Sequence, residues 1–264
     1  WVHGINAYLY EDKIMKAANT WFDALPTQVE VVTKNDDGTD GFKRKTLGTV
    51  VVTLAGWRLN VAWQPAKLDP SARELIDAAA RLLGDDARAL NTFDTLVSEP
   101  FDAMLKRLTA TAVAEGGWEQ DPTQSAPDVV AAVTKAEGLS SEGATLWLQL
   151  MALLDPTKKA CIQWNGWSPK TYAAAAAELV ERGLVVEGKR ARAGREHFLP
   201  GGWVESKDIL PYEEWKRPLY GWEAATGRFP IGNPVALEPL HRLFERAWQR
   251  CVAGDRPRFE EVRR

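Results

Sequence analysis

Histidine and cysteine are scarce in this chain, with three His and two Cys among 264 residues. His3, His197 and His241 fall in different segments, and no His or Cys cluster has metal-ligand spacing, so no metal site is expected. Cys161 and Cys251 sit in helical patterns far apart in sequence, which argues against a disulfide framework and for a reducing compartment, by default a bacterial cytoplasm. No apolar run approaches the roughly 20 residues that a membrane helix needs, and no signal-peptide pattern is present. A Gly-rich phosphate loop with its Lys and a Gly-x-Ser-x-Gly turn are both missing, so neither a catalytic role nor a cofactor is expected. The acid pairs Asp36-Asp37 and Asp85-Asp86 read as solvated turns.

What is present describes a folded protein. A hydrophobic content of 45% with 26% charged residues is that of a chain able to bury a core, and 264 residues allow one large or two smaller domains. Twelve Trp supply large apolar surfaces for packing. The opening Trp1-Val2-His3-Gly4 suggests a region of a longer protein. Net charge is −3, but residues 157–197 hold eight Lys or Arg against four acids, a local +4 that leaves −7 for the rest. Such a concentration of one sign points to an anionic partner.

The pattern is α+β from residue 1 to about 118. Residues 28–33 alternate, Asn35-Asp36-Asp37-Gly38 reads as a turn, and 46–54 resumes, predicting a hairpin, with Trp57–Trp63 as a third strand. The basic patch Lys43, Arg44 and Lys45 lies on or beside this hairpin. It is either protection of a strand edge or an auxiliary phosphate contact. Ser71 with Glu74 reads as a capping box opening a helix, and further helices are expected over 86–97 and 100–114. Residues 115–128 read as a linker. Residues 126–205 should form a helical domain centred on Leu146–Leu154, which is apolar on nearly every side. Residues 206–264 read as an irregular extension ending in an amphipathic helix. Its stripe of Leu243, Phe244 and Trp248 packs inward or docks a partner protein.

Within the basic segment, a short helix, an Asn165-Gly166 turn, an alanine-rich helix and a basic hairpin follow in order. Ser168 caps the second helix, Pro169 takes its first position and Gly183 ends it. Residues 146–203 resemble the winged helix-turn-helix superfamily, in a domain spanning about 128–203. That resemblance implies binding of double-stranded DNA, with Ser168, Lys170, Thr171 and Ala174 at the groove and Lys189, Arg190, Arg192 and Arg195 of the wing on phosphates. The run Ala173–Ala177 offers none of the Arg, Asn or Gln side chains that read bases, so backbone contacts with weak sequence selectivity are expected. The competing reading is a winged helix used as a protein-interaction or assembly module.

Overall fold

The computed structural model describes residues 3–26, 29–38, 40–84, 88–111, 113–205, 207 and 209–258. The chain is α+β and divides into two compact units, Trp1–Ser98 and Glu99–Arg264. Trp1, Val2, Gln28 and the Asp85-Asp86 pair lie outside the described residues. Among those described, no helix is long and apolar enough to cross a membrane.

The first unit is built on an antiparallel sheet in the order β1-β5-β4-β3-β2. Its strands are β1 (His3–Tyr8), β2 (Val29–Lys34), β3 (Asp40–Leu47), β4 (Val50–Ala55) and β5 (Arg58–Trp63). Alternation sends Val50, Val52, Leu54, Leu59, Val61 and Trp63 to one buried face. Helices α1 (Asp12–Ala24), α2 (Pro70–Leu83) and α3 (Arg88–Leu96) close this core with Phe22, Ile76 and Phe93. The opposite face is open to solvent.

Two local readings of this unit are corrected. The strand after β2 is β3, and the two-residue turn Gly48-Thr49, with Gly48 at φ +58°, separates it from β4. The patch at 43–45 is therefore a central strand whose side chains alternate between faces. Lys45 is buried on the core side and donates to the Asp23 and Leu25 carbonyls, both at 3.2 Å, where α1 ends. It is withdrawn as a phosphate contact because it satisfies carbonyls that the helix end leaves unpaired. In α2 the cap is Asp69, which accepts from the Ala72 amide at 2.8 Å, rather than Ser71. Pro70 then occupies the first helical position, where its missing N–H costs nothing.

The second unit begins at α4 (Glu99–Arg107), earlier than the expected boundary near residue 118. Arg107 explains the shift, since it pairs with Glu119 at 3.1 Å and donates to the Glu238 carbonyl. The expected linker is likewise structured. The buried Asp121 caps α5 (Pro122–Ser125) by accepting from the Thr123 amide at 2.9 Å. Helices α6 (Pro127–Glu137), α7 (Ser141–Ala152), α8 (Lys158–Trp164) and α9 (Pro169–Glu181) follow. Every residue of α7 from Gly143 to Ala152 is buried, as its lack of a polar face requires.

Residues 206–258 are not an appendage. Leu240, Leu243, Phe244, Ala247 and Cys251 of α10 (Leu240–Val252) belong to the same core as α6, α7 and α9. The end of α7 is held from this side as well, because Tyr220 Oη donates to the Ala152 carbonyl and Lys216 Nζ to that of Leu153. Both are orphan acceptors at a helix C-terminus, where a cation is favoured.

Candidate nucleic-acid interface

The pair α8 and α9 is positioned by contacts at both ends. Asn165, in the turn between α8 and α9, exchanges amide hydrogen bonds of 2.8 and 3.0 Å with Gln149, the buried polar side chain in the middle of α7. Ser168 accepts from the Thr171 amide at 3.1 Å and caps α9, with Pro169 in the first turn. At the far end Gly183, at φ +68°, follows the last helical residues, and the Leu184 amide reaches back to the Leu179 carbonyl at 2.9 Å. This is the Schellman closure that the glycine permits. Glu178 accepts from Ser140, and Arg182 donates to the carbonyls of Glu137 and Gly138, tying α9 to the turn between α6 and α7.

The basic hairpin that follows has two short strands, β6 (Val186–Glu187) and β7 (His197–Phe198). Its loop returns to the start of α8, where the Lys158 amide donates to the Gly194 carbonyl at 3.2 Å. Lys158 Nζ also lies 5.7 Å from the Tyr172 ring, so α8, α9 and the hairpin meet around that lysine. Gly194 has φ +61°, and a Cβ there would stand 2.7 Å from Thr157 Cγ2.

The hairpin's cations divide sharply by environment. Arg195 is fully buried. Its Nη2 donates to both carboxylate oxygens of Glu213, at 2.8 and 2.9 Å, while Lys216 reaches the same carboxylate at 2.8 Å. Glu213 belongs to β9 (Tyr212–Glu213), which pairs with β8 (Trp203–Val204). Burial alone would raise the Glu213 carboxyl, but Lys216 and Arg195 outweigh it and hold the group at about 2. Arg195 is therefore corrected from a phosphate contact to an internal counter-ion. Arg190 is half-buried, with its guanidinium 4.6 Å from the Phe198 ring and 5.0 Å from the Trp203 ring. Only Lys189 and Arg192 of the four expected wing cations are exposed.

On α9 the exposed side chains include Lys170, Ala173, Ala174, Ala177 and Glu181, and Thr171 is half-buried. The Ser168 and Thr171 hydroxyls lie 2.8 Å apart and are engaged with each other as well as with the cap. The cations that reach solvent around α8, α9 and the hairpin are Lys158, Lys159, Lys170, Lys189 and Arg192, together with Arg182, which is exposed but engaged with the Glu137 and Gly138 carbonyls. Among the described residues none of the four lysines has a carboxylate partner.

No family model, curated protein or solved structure matches the chain.

Of the other expected site residues, Arg44 is exposed and Lys43 half-buried. Leu243 and Phe244 are wholly buried, and the Trp248 ring packs edge-on against Trp147 at 6.2 Å. Leu243 and Phe244 are corrected from partner contacts to core residues, since the stripe's partner is α7 of the same chain. Sequence reasoning missed Glu213 and Lys216. Their signal was two opposite charges three residues apart, Glu213 and Lys216, beside the aromatic residues Tyr212 and Trp215, where an unpaired charge would be costly.

Proposed function

We propose that the helices and hairpin between residues 127 and 204 act as a winged helix-turn-helix that grips the phosphate backbone of double-stranded DNA. The observation that carries this reading is the set of exposed cations, Lys158, Lys159, Lys170, Lys189 and Arg192, contributed by three consecutive elements. Lysines act here as point charges on phosphates. The small side chains of Ala173, Ala174 and Ala177 leave no donors for base edges, so sequence selectivity is weak.

The test is a fluorescence-anisotropy titration of a labelled duplex over a salt series. Four to five phosphate contacts correspond to a slope of log Kobs against log salt of roughly −4. Replacing Lys158, Lys170, Lys189 and Arg192 together by Ala removes most of that slope and the affinity with it. An unchanged affinity, or no binding by the native chain at about 50 mM salt, overturns the proposal.

The smooth face of Ala173, Ala174 and Ala177 favours a second reading, in which α9 docks against a helix of a partner protein. Small residues permit close helix approach. In that case the chain ignores duplex at low salt, and large side chains such as Ala174→Leu disrupt a complex that native chain forms.

A further inference from the structure

The open face of the five-stranded sheet carries chemistry that the fold does not use. The strand register places side chains of this face in rows across the sheet. One row runs Asn6, Asn60, Thr53, Arg44 and Val31. The next runs Tyr8, Arg58 and Ala55 towards Phe42. Neither row contains a carboxylate. Asn6, Phe42, Arg44, Thr53, Arg58 and Asn60 line a shallow depression of about 300 Å³.

At one edge of this face three aromatic rings lie nearly parallel in solvent. Tyr8 and Trp57 are 5.1 Å apart at 21°, Tyr8 and Tyr10 5.7 Å at 18°, and Tyr10 and Trp57 6.4 Å at 22°. Tyr10 is 82% exposed, Trp57 55% and Tyr8 39%. Folding does not account for this exposure. Trp57 sits in the two-residue turn between β4 and β5, where Gly56 at φ +53° supplies the geometry and no large ring is required.

The two arginines of the face are aimed rather than loose. Arg58 Nε donates to Asn6 Oδ1 at 3.1 Å, and its guanidinium lies 5.3 Å from the Tyr8 ring. Arg44 Nε donates to Thr53 Oγ1 at 3.3 Å, with its guanidinium 5.2 Å from the Phe42 ring. Each is pinned through Nε, and among the described residues its Nη groups have no partner. Arg58 on β5 and Arg44 on β3 stand two strands and one row apart, roughly 12 Å by ordinary sheet spacing.

We propose that this face binds single-stranded nucleic acid. Bases stack on Tyr10, Trp57 and Tyr8, and successive phosphates run over Arg58 and Arg44, with Asn6 and Asn60 beside the path. Planar rings with unpaired faces and a repeating negative charge are the two properties that this surface complements together. A duplex supplies the charge but keeps its base faces stacked inside.

The site lies in the first unit and does not depend on the role assigned to α9. The experiment titrates the full chain against labelled oligothymidylate and oligouridylate of about 12 nucleotides, within the usual site size of such surfaces. Tyr10→Ala with Trp57→Ala should weaken binding at least tenfold. Arg44→Ala with Arg58→Ala should weaken it comparably and flatten the salt dependence. Trp57→Phe should retain most of the affinity, and the quadruple Ala variant at Lys158, Lys170, Lys189 and Arg192 should leave it unchanged. Oligouridylate binding more tightly than oligothymidylate identifies RNA as the natural strand, and the reverse identifies DNA. Absence of binding at about 50 mM salt overturns the proposal, as does binding insensitive to both double variants or loss of single-strand binding in the quadruple variant instead. Circular dichroism checks that each variant is folded, and the arginine pair carries the test if the aromatic pair is not.

Discussion

Glu213 shows how one carboxylate decides the role of its neighbours. It accepts from Arg195 and Lys216, and all three side chains are removed from water. Replacing Glu213 by Ala would leave two buried cations without their counter-ion, and such losses cost about 3–5 kcal/mol. A large drop in the urea midpoint of the second unit is the expected result. The pH dependence has a definite sign. The carboxyl lies at about 2 in the folded chain against an ordinary 4.5, so the unfolded chain binds more protons between those values. The pair's contribution is present above about 4.5 and is lost as pH falls towards about 2, an effect on the order of 3 kcal/mol. Acid titration of native chain monitored by Trp fluorescence should show this loss, and Glu213→Gln, already destabilised at neutral pH, should show less of it.

At the scale of elements, the hairpin and α9 each depend on a local device that can be tested apart from the proposed DNA binding. Gly194 combines φ +61° with a 2.7 Å approach of its missing Cβ to Thr157. Gly194→Ala should cost roughly 1–3 kcal/mol. Gly188→Ala meets only Phe198 at 3.9 Å, with no positive φ, and should stay within about 0.5 kcal/mol of native. Thermal denaturation of the two variants separates a conformational requirement from general loop sensitivity. Ser168 caps α9, so Ser168→Ala should cost about 1 kcal/mol. Ser168→Asp keeps the cap and adds a negative charge, and under the proposed function it lowers duplex affinity while stability holds.

The whole molecule has two cores, one closed over the sheet and one around α7. The second draws on residues from Ala126 to Cys251, so α8 and α9 share their core with α10 and with Tyr212, Leu219 and Tyr220. Deleting the buried contribution of Leu243 or Phe244 alone would remove about 2–5 kcal/mol of packing. A fragment of residues 99–205 is therefore expected not to fold, whereas one of residues 99–264 should unfold cooperatively. Urea titrations of the two fragments by circular dichroism check this. A stable fragment ending at 205 would show that the core is divisible.

Local pattern was enough for elements whose signals are contained within a few residues. The Ser168-Pro169 start and Gly183 end of α9 were legible because caps act through neighbouring backbone groups. The buried α7 was legible because a helix apolar on nearly every side has nowhere else to go. The α+β class and the acidic average with its basic segment also followed from order and composition alone. Tertiary structure decided what each charge does. Lys45, Arg190 and Arg195 look like surface cations in a linear reading, yet Lys45 meets the end of α1, Arg195 meets Glu213, and Arg190 lies over the Phe198 and Trp203 rings. Packing likewise gave Leu243 and Phe244 a partner within the chain, and strand register brought Tyr8, Arg58 and Arg44 onto one face from three separate strands. Burial and counter-ions depend on groups distant in sequence, and no local pattern records which of those groups arrive.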